Sequence, residues 1–376
     1  MAKYELRPVI VPGKALVAAE RLRDLARELL AKPDGAPPAL PGERELAGQL
    51  GLSRRTLQNA LGILAACGVV RREHGRGNFA EPESRWQPLP APGLELLVVA
   101  PWGEGRPEGY MFAEMLGGME TAAGAIGARL TGLDAAAWTA RASERGFAAR
   151  FRGAVLIDPP GARWAASLLD AADWHVVAVE HNIRDLPLTS VIDGSYLGNF
   201  EATQALLELG HRRIAFLDRA DWQSANPHKS EGWLAALEEA GGSSGRELFR
   251  TVPTEAPREA VVAAMEEFWA LSEKPSAVLC FSDAAALGVL EWMAGRGLTP
   301  GRDLSVIGSG DQAARRGLSA TLSSIRVHYR TMGLTAAFEA LCGRRGSEMR
   351  TIIVPNRLRL RGSVGPPGTP PADAGR

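Results

Sequence analysis

The sequence is poor in the residues that would give it covalent chemistry or a membrane anchor. Cysteine occurs only three times in 376 residues, at positions 67, 280 and 342. The three are odd in number, far apart and set among apolar neighbours, so they read as buried small hydrophobes and not as a disulfide framework or a zinc site. No run approaches the roughly 18 consecutive apolar residues that a bilayer-spanning helix needs. The opening residues, MAKYELRPVIVPGK, lack the long apolar core and small-residue cleavage site of a secretory signal. A cytoplasmic protein with no membrane contact is expected. Lysine is scarce beyond Lys32, with only Lys229 and Lys274, and neither lies in a motif that would mark a Schiff base or a phosphate cradle. There is no H-E-x-x-H pair and no P-loop lysine. No catalytic residue, metal ligand or cofactor is assigned.

Net charge is also absent, with 43 basic and 43 acidic residues, but it is unevenly divided. Residues 1–80 hold thirteen Lys and Arg against eight Asp and Glu, an excess of five, which leaves the remainder equally acidic. A basic module on an acidic body suits a tethered reader of nucleic acid.

That module is organised around LPGERELAGQLGLSRRTLQNALGILAACGVVRREHGRGNF, residues 40–79. Leu46, Ala47 and Leu50 give a first helix one apolar face. Gly51 suits a left-handed C-cap, and Ser53 suits the N-cap of a second helix. Leu57, Ala60, Leu61 and Leu64 then recur at helical spacing and face a core, leaving Arg54, Arg55, Gln58 and Asn59 largely opposite. Arginine can pair with guanine, and Asn or Gln with adenine, so these types fit a major groove. After Gly68 the period changes to two short strands, with Arg76 between two glycines at the tip of a wing. A helix over Lys14–Lys32, with Leu16, Leu22, Leu25, Ala26 and Leu29 on one stripe, supplies the packing base.

The pattern LP-x-ER-x-LA, then L-G-x-S-R-x-T, then AL and a final G-x-G resembles the winged helix-turn-helix of GntR-family transcription regulators. The resemblance implies binding to double-stranded operator DNA, with Arg44, Arg54 and Thr56 as contacts and Gly77 in the wing. Ser53, Arg55, Gln58, Asn59 and Arg76 complete the expected interface. Gly42 stands where that family usually has Ser, and Gln58-Asn59 where it has Arg-Glu, so the operator sequence does not carry over.

Residues 81–93, EPESRWQPLPAPG, are proline-rich and read as a semi-rigid extended linker, with Trp86 as an aromatic available for docking. From Leu94 apolar strands alternate with amphipathic helices. The strands are Leu94–Ala100, Ala154–Ile157, His175–Val179, Arg213–Leu217, Ser276–Phe281 and Leu304–Ile307, and the intervening helices predict an α/β body with parallel sheets. Ligands in such folds bind beyond the carboxyl ends of the strands.

Four stretches, ALLELGHRRIAFL, KSEGWLAALEEAG, residues 275–311, and LSSIRVHYRTMG with IVPNRLRLRGS, are similar in order and content to the LacI family. This implies a two-lobed periplasmic-binding-protein-like effector domain over 94–364. Lobe 1 would hold 94–191 and 326–350, and lobe 2 would hold 192–325 and 351–364, before a disordered tail at 365–376. A GntR-type reader on such a body resembles the arabinose-repressor architecture. By position, Trp102, Tyr110, Phe112, Asp158, Trp222, Lys229, Ser282 and Asp283 would contact an effector held between the lobes, with carbohydrate as its class. Lys229 replaces the usual Arg, Ser282 the usual Asn, and Ser309-Gly310 an aromatic-Asp pair, so the effector's identity stays open. A ligand-independent repressor and a GntR-fused enzyme stand as alternatives. A single winged module covers few base pairs, so a homodimer joined through the body is expected.

Overall fold

The computed structural model describes residues 14–31, 38–73, 75–90, 94–100, 109–144, 146–157, 162–171, 174–180, 186, 188–220, 228–241, 246–253, 256–315, 317, 319–343 and 350–368. Helix α1 (Lys14–Leu30), α2 (Glu43–Leu50) and α3 (Arg54–Ala66) precede a wing of β1 (Val70–Glu73) and β2 (Gly77–Ala80). There follow β3 (Glu95–Val99), α4 (Gly109–Ile126), β4 (Arg129–Leu133), α5 (Ala135–Arg141), β5 (Gly153–Ile157), α6 (Ala162–Leu169), β6 (His175–Val179) and β7 (Thr189–Asp193). Next come α7 (Ser195–Glu208), β8 (Ile214–Arg219), α8 (His228–Glu239), β9 (Phe249–Val252), α9 (Arg258–Trp269), β10 (Ala277–Cys280), α10 (Asp283–Gly295), β11 (Ser305–Ser309), α11 (Gln312–Arg315) and β12 (Ser323–Arg326). The chain closes with α12 (Tyr329–Cys342), β13 (Thr351–Val354) and β14 (Arg357–Arg359). Among the described residues no helix is long and apolar enough to cross a membrane.

The chain divides into two compact units, 1–192 with 329–352 and 193–328 with 353–376. The chain passes between the units after residues 192, 328 and 352. The first unit holds the reader and a sheet ordered β13-β7-β6-β5-β3-β4. Its central strands β3, β5 and β6 are parallel, and every residue in them is buried. Continuous burial of a strand requires cover on both faces, which helices supply. On one face Trp138, Phe147, Phe151 and Trp174 form an aromatic cluster, with Trp138 and Trp174 centroids 5.5 Å apart.

The other cover is α4 with α12, and their backbones touch. A Cβ on Gly333 would collide with the Met115 carbonyl, and one on Gly118 with the Arg330 carbonyl. On the same α12, Phe338 lies beneath Gly62 of α3, where a Cβ would come within 2.7 Å of the ring. Cys67, just after α3, lies against Cys342 at the end of α12, and that thiol neighbour together with burial raises the Cys342 pKa. All three cysteines are buried and free. The reader is thus seated on the body by its own recognition helix.

The segment after the wing is less independent than an extended linker. Glu81 N–H donates to the Val69 carbonyl at 2.9 Å, and Gln87 N–H to the Cys67 carbonyl at 2.8 Å. Trp86 donates its indole N–H to the Glu81 carbonyl at 2.7 Å and lies 5.3 Å from the Arg27 guanidinium. Residues 81–88 therefore belong to the reader, and Trp86 docks there. The stripe of α1 is also centred differently. Ala15, Ala18, Ala19, Leu22 and Ala26 are buried, whereas Leu16, Leu25 and Leu29 are only half-buried. Small alanines let α1 approach α3 closely.

The second unit carries a sheet ordered β14-β12-β11-β10-β8-β9, parallel except for the antiparallel edge strand β14. The tail is corrected over its first residues. His211, held below its ordinary pKa by burial, bridges the Ser276 hydroxyl and the Gly365 carbonyl, each at 2.8 Å. Gly365 N–H donates to the Ser305 hydroxyl at 3.1 Å. Residues 369–376 lie outside the described residues.

Glu339 on α12 is buried and accepts a bond from Arg350. Burial pushes its carboxyl up to about 7 from the ordinary 4.5, against the opposing pull of the guanidinium. A folded pKa above the unfolded one stabilises fully below the unfolded value and is lost as pH rises through the folded one. Stability should therefore fall by on the order of 3 kcal/mol between about pH 4.5 and 7. Calorimetric melts across this window should show that Glu339→Gln removes most of the slope; an unchanged slope contradicts the assignment.

Candidate functional site

The reader's turn is built by local chemistry. Gly51 adopts φ 62°, and its N–H reaches back to the Ala47 and Gly48 carbonyls, closing α2. The Ser53 hydroxyl accepts the Thr56 N–H at 3.1 Å and lies 2.9 Å from the Thr56 hydroxyl, opening α3. Both residues therefore fix where α3 begins, before any contact with DNA. Leu57, Ala60, Leu61 and Leu64 are fully buried, as their spacing requires.

The opposite face of α3 and the first turn of α2 carry the expected polar groups in different states. Arg44 and Arg54 are exposed, and among the described residues neither side chain has a hydrogen-bond or ionic partner. Two guanidinium groups held outward with no counter-charge are ready to meet phosphates or a guanine edge. Asn59 is half-buried and likewise uncommitted. Gln58 donates to the Glu43 carboxylate at 3.3 Å, and the same carboxylate meets Arg72 of the wing at 3.3 Å. Glu43 thus ties the recognition helix to the wing, a bridge the sequence signals only as an acid in the first turn of α2. Arg55 turns to the body, where its guanidinium lies 3.4 Å from the Thr121 hydroxyl of α4, which also accepts from Arg330 at 3.0 Å. Arg76 has a side chain 76% exposed and pairs with Glu73 at 2.9 Å, and Gly77 beside it takes φ 115°.

In the second unit Lys229 and Ser282 come together at the carboxyl ends of β8 and β10. Lys229 is half-buried on the first turn of α8 and donates to the Phe281 carbonyl at 3.0 Å. Ser282 is the N-cap of α10, accepting the Ala285 N–H at 3.2 Å. Asp283, expected from its position to face an effector, instead belongs to the framework. Its carboxylate accepts the Gln312 N–H at 2.6 Å, the Ala313 N–H at 2.9 Å and the Ser324 hydroxyl at 2.6 Å. It joins α10 to α11 and β12 at 5% exposure. Burial raises its pKa, opposed by the Ser324 hydroxyl and the two backbone donors, with Asp311 adding to the rise. Asp311 is itself buried and pairs with Arg361 at 2.7 Å. In the first unit Tyr110 and Phe112 lie half-buried on the first turn of α4 and not in a loop. Trp102, Asp158 and Trp222 lie outside the described residues.

Comparison with known proteins finds two matching families, one in the reader and one in the body. Residues 18–79 match the gntR family of bacterial regulatory proteins, and residues 203–364 match the periplasmic binding protein-like domain. The ribose operon repressor of Haemophilus influenzae is 28% identical over 205 residues, covering 54% of this chain and 61% of that protein. The arabinose metabolism transcriptional repressor of Geobacillus stearothermophilus is 26% identical over 312 residues, covering 79% and 83%. A LacI-family regulatory protein from Chloroflexus aggregans superposes with a TM-score of 0.62 at 23% identity, covering 72% of this chain and 98% of that one. The chain spans between 45% and 61% of the length of the first curated relatives it matches.

Removing the Asp283 carboxylate leaves three buried donors unsatisfied, each of which costs about 1–3 kcal/mol in the worst case. Asp283→Ala should lower the stability of the second unit by about 2–4 kcal/mol. Urea unfolding followed by Trp233 and Trp292 fluorescence measures this. Wild-type stability with a lost ligand response would return Asp283 to the effector-binding set.

Proposed function

We propose that this chain, a gntR-family regulatory domain joined to a periplasmic binding protein-like domain, is a transcriptional repressor of double-stranded operator DNA. Its operator affinity is set by a small carbohydrate effector. The observation that carries the DNA-binding reading is the pair Arg44 and Arg54, exposed and without partners among the described residues, on two helices joined by the Gly51–Ser53 turn. The effector reading draws on the body's match and on relatives whose names refer to ribose and arabinose. Lys229 at the carboxyl ends of β8 and β10 is the candidate contact. Tyr110 and Phe112 are candidates in the first unit.

The regulator acts as a homodimer in this reading. One winged module buries too little surface for tight specific binding, and a second reader on the same assembly acts at high effective concentration. The reading assigns no catalytic step, in keeping with relatives that are named as repressors.

A duplex selected from random sequence by the full chain supplies the operator for testing. Arg54→Ala and Arg44→Ala should each weaken binding at least tenfold, about 1.4 kcal/mol. Gln58→Ala should alter base preference more than affinity. The logarithm of the binding constant should fall linearly with the logarithm of salt concentration, because phosphate contacts release counterions. Gel shifts that show salt-independent binding, or full affinity in Arg54→Ala, would contradict the reading.

Lys229→Met should weaken binding of whichever of ribose or arabinose the wild type takes up by at least tenfold, with operator affinity in the absence of sugar unchanged. Calorimetric titration reads both. If neither sugar binds the wild type, or if the variant binds as the wild type does, the carbohydrate site lies elsewhere or does not exist.

A further inference from the structure

The edge of the second unit's sheet gathers positive charge that no carboxylate among the described residues pairs with. Strands β12 and β14 pair antiparallel, with Arg326 opposite Arg357 and Ser324 opposite Arg359. Opposed residues share a face, so Arg326, Arg357 and Arg359 project to the same side, with His328 two residues beyond Arg326. These three arginines and Arg315 on α11 all act electrostatically on the His328 ring, which burial and their charge hold below its ordinary pKa. Among the described residues no carboxylate pairs with Arg326, Arg357 or Arg359. The Arg326 Nε is buried and has no hydrogen-bond partner.

Like charges placed directly opposite in a ladder are destabilising. The next arginine on the same strand alternation shows the neutralised alternative. Arg361 is bound to the Asp311 carboxylate at 2.7 Å and to the Leu322 carbonyl at 2.7 Å. Charges on an edge strand also discourage strand-to-strand aggregation. That accounts for Arg357 and Arg359 on β14, but not for Arg326 on the inner strand with a buried, unbonded N–H. Arg326, His328 and Arg357 further lie at the carboxyl end of β12, the end at which parallel sheets bind ligands.

We propose that Arg326, His328, Arg357 and Arg359 form an oxyanion site that holds the phosphate group of a small phosphorylated ligand. Guanidinium forks match phosphate oxygens in pairs, and the excess of three unneutralised cations suits a dianion better than a single carboxylate. The site uses residues other than Lys229, and its test does not depend on the carbohydrate reading. It lies where the chain leaves the unit at His328 and shortly after it returns at Ile353, so an anion bound there bears on both crossings.

Calorimetric titration of the full chain with ribose 5-phosphate, inorganic phosphate and ribose tests this. Wild type should bind ribose 5-phosphate or inorganic phosphate, and the double substitution Arg357→Ser with Arg359→Ser should weaken that binding at least tenfold. Tighter binding of the sugar ester than of the free ion supports the stated ligand; equal or weaker binding keeps the site but overturns the esterified ligand. Arg357 and Arg359 are exposed and Arg357 opposes Arg326, so a melting temperature no lower than that of wild type and unchanged operator binding are expected of the variant. Arg326→Met provides a second, inner probe with the same expected loss. Ribose binding unaffected by these substitutions separates this site from the carbohydrate site. No binding of either phosphate, or binding equal in both variants, overturns the proposal. Weakened DNA binding as the variants' only defect also overturns it, since the arginines would then be DNA contacts.

Discussion

The contact between the backbones of α4 and α12 is the constraint on which the first unit depends. Gly118 and Gly333 leave no room for a Cβ, so any side chain there must push the helices apart. Close-packed interiors do not absorb such a change without loss elsewhere. Because α12 also carries Phe338 beneath Gly62, the reader's recognition helix stands on the same helix that covers the sheet. Arg330 near the start of α12 and Arg55 on α3 share the Thr121 hydroxyl. The first residue of α12 is also the first after the chain leaves the second unit. One helix thus joins the reader, the body and a crossing.

Charge in this protein sorts into groups that hold the fold and groups left facing outward. Asp283 with its three donors, Asp311 with Arg361, and Glu339 with Arg350 are buried and engaged. Breaking such a pair from one side leaves an uncompensated buried group, which is far more costly than losing a surface contact. Arg44, Arg54, Arg357 and Arg359 are exposed, and among the described residues their side chains are unengaged. Surface pairs contribute little to stability, so outward cations can be kept for binding at small cost to the fold. The two classes make opposite demands on a mutation: loss of stability in the first, loss of affinity in the second.

Much of this was legible in residue order. The Gly51 cap, the Ser53 cap and the buried Leu57, Ala60, Leu61 and Leu64 follow from local chemistry and helical period, and the structure has each. The six apolar strands were equally plain, because a strand buried on both faces can carry an almost unbroken apolar run. Strands β4, RLTGL, and β9, FRTV, escape the same reading because they lie at sheet edges and are partly exposed, and the buried inner strand β7, TSVID, escapes it because polar residues break its apolar run. Residues 81–88 look like linker because Pro82 and Pro88 break a polar segment that has no apolar period, yet backbone bonds to Val69 and Cys67 hold them. Asp283 shows the limit for sites. A carboxylate at a strand end looks the same in sequence whether a ligand or three neighbouring donors occupy it, and only the donors' positions decide.

The claim that the reader is seated on α12 is open to direct measurement. Spin labels placed through Gln49→Cys on α2 and Glu120→Cys on α4, both exposed, report the distance from reader to body, while the three buried native cysteines stay unlabelled. A docked reader gives one narrow distance distribution by double electron–electron resonance, broadened when Phe338→Ala removes the ring beneath Gly62. A distribution spread over on the order of 20 Å in the intact chain, as a flexible tether of about a dozen residues produces, would contradict the account.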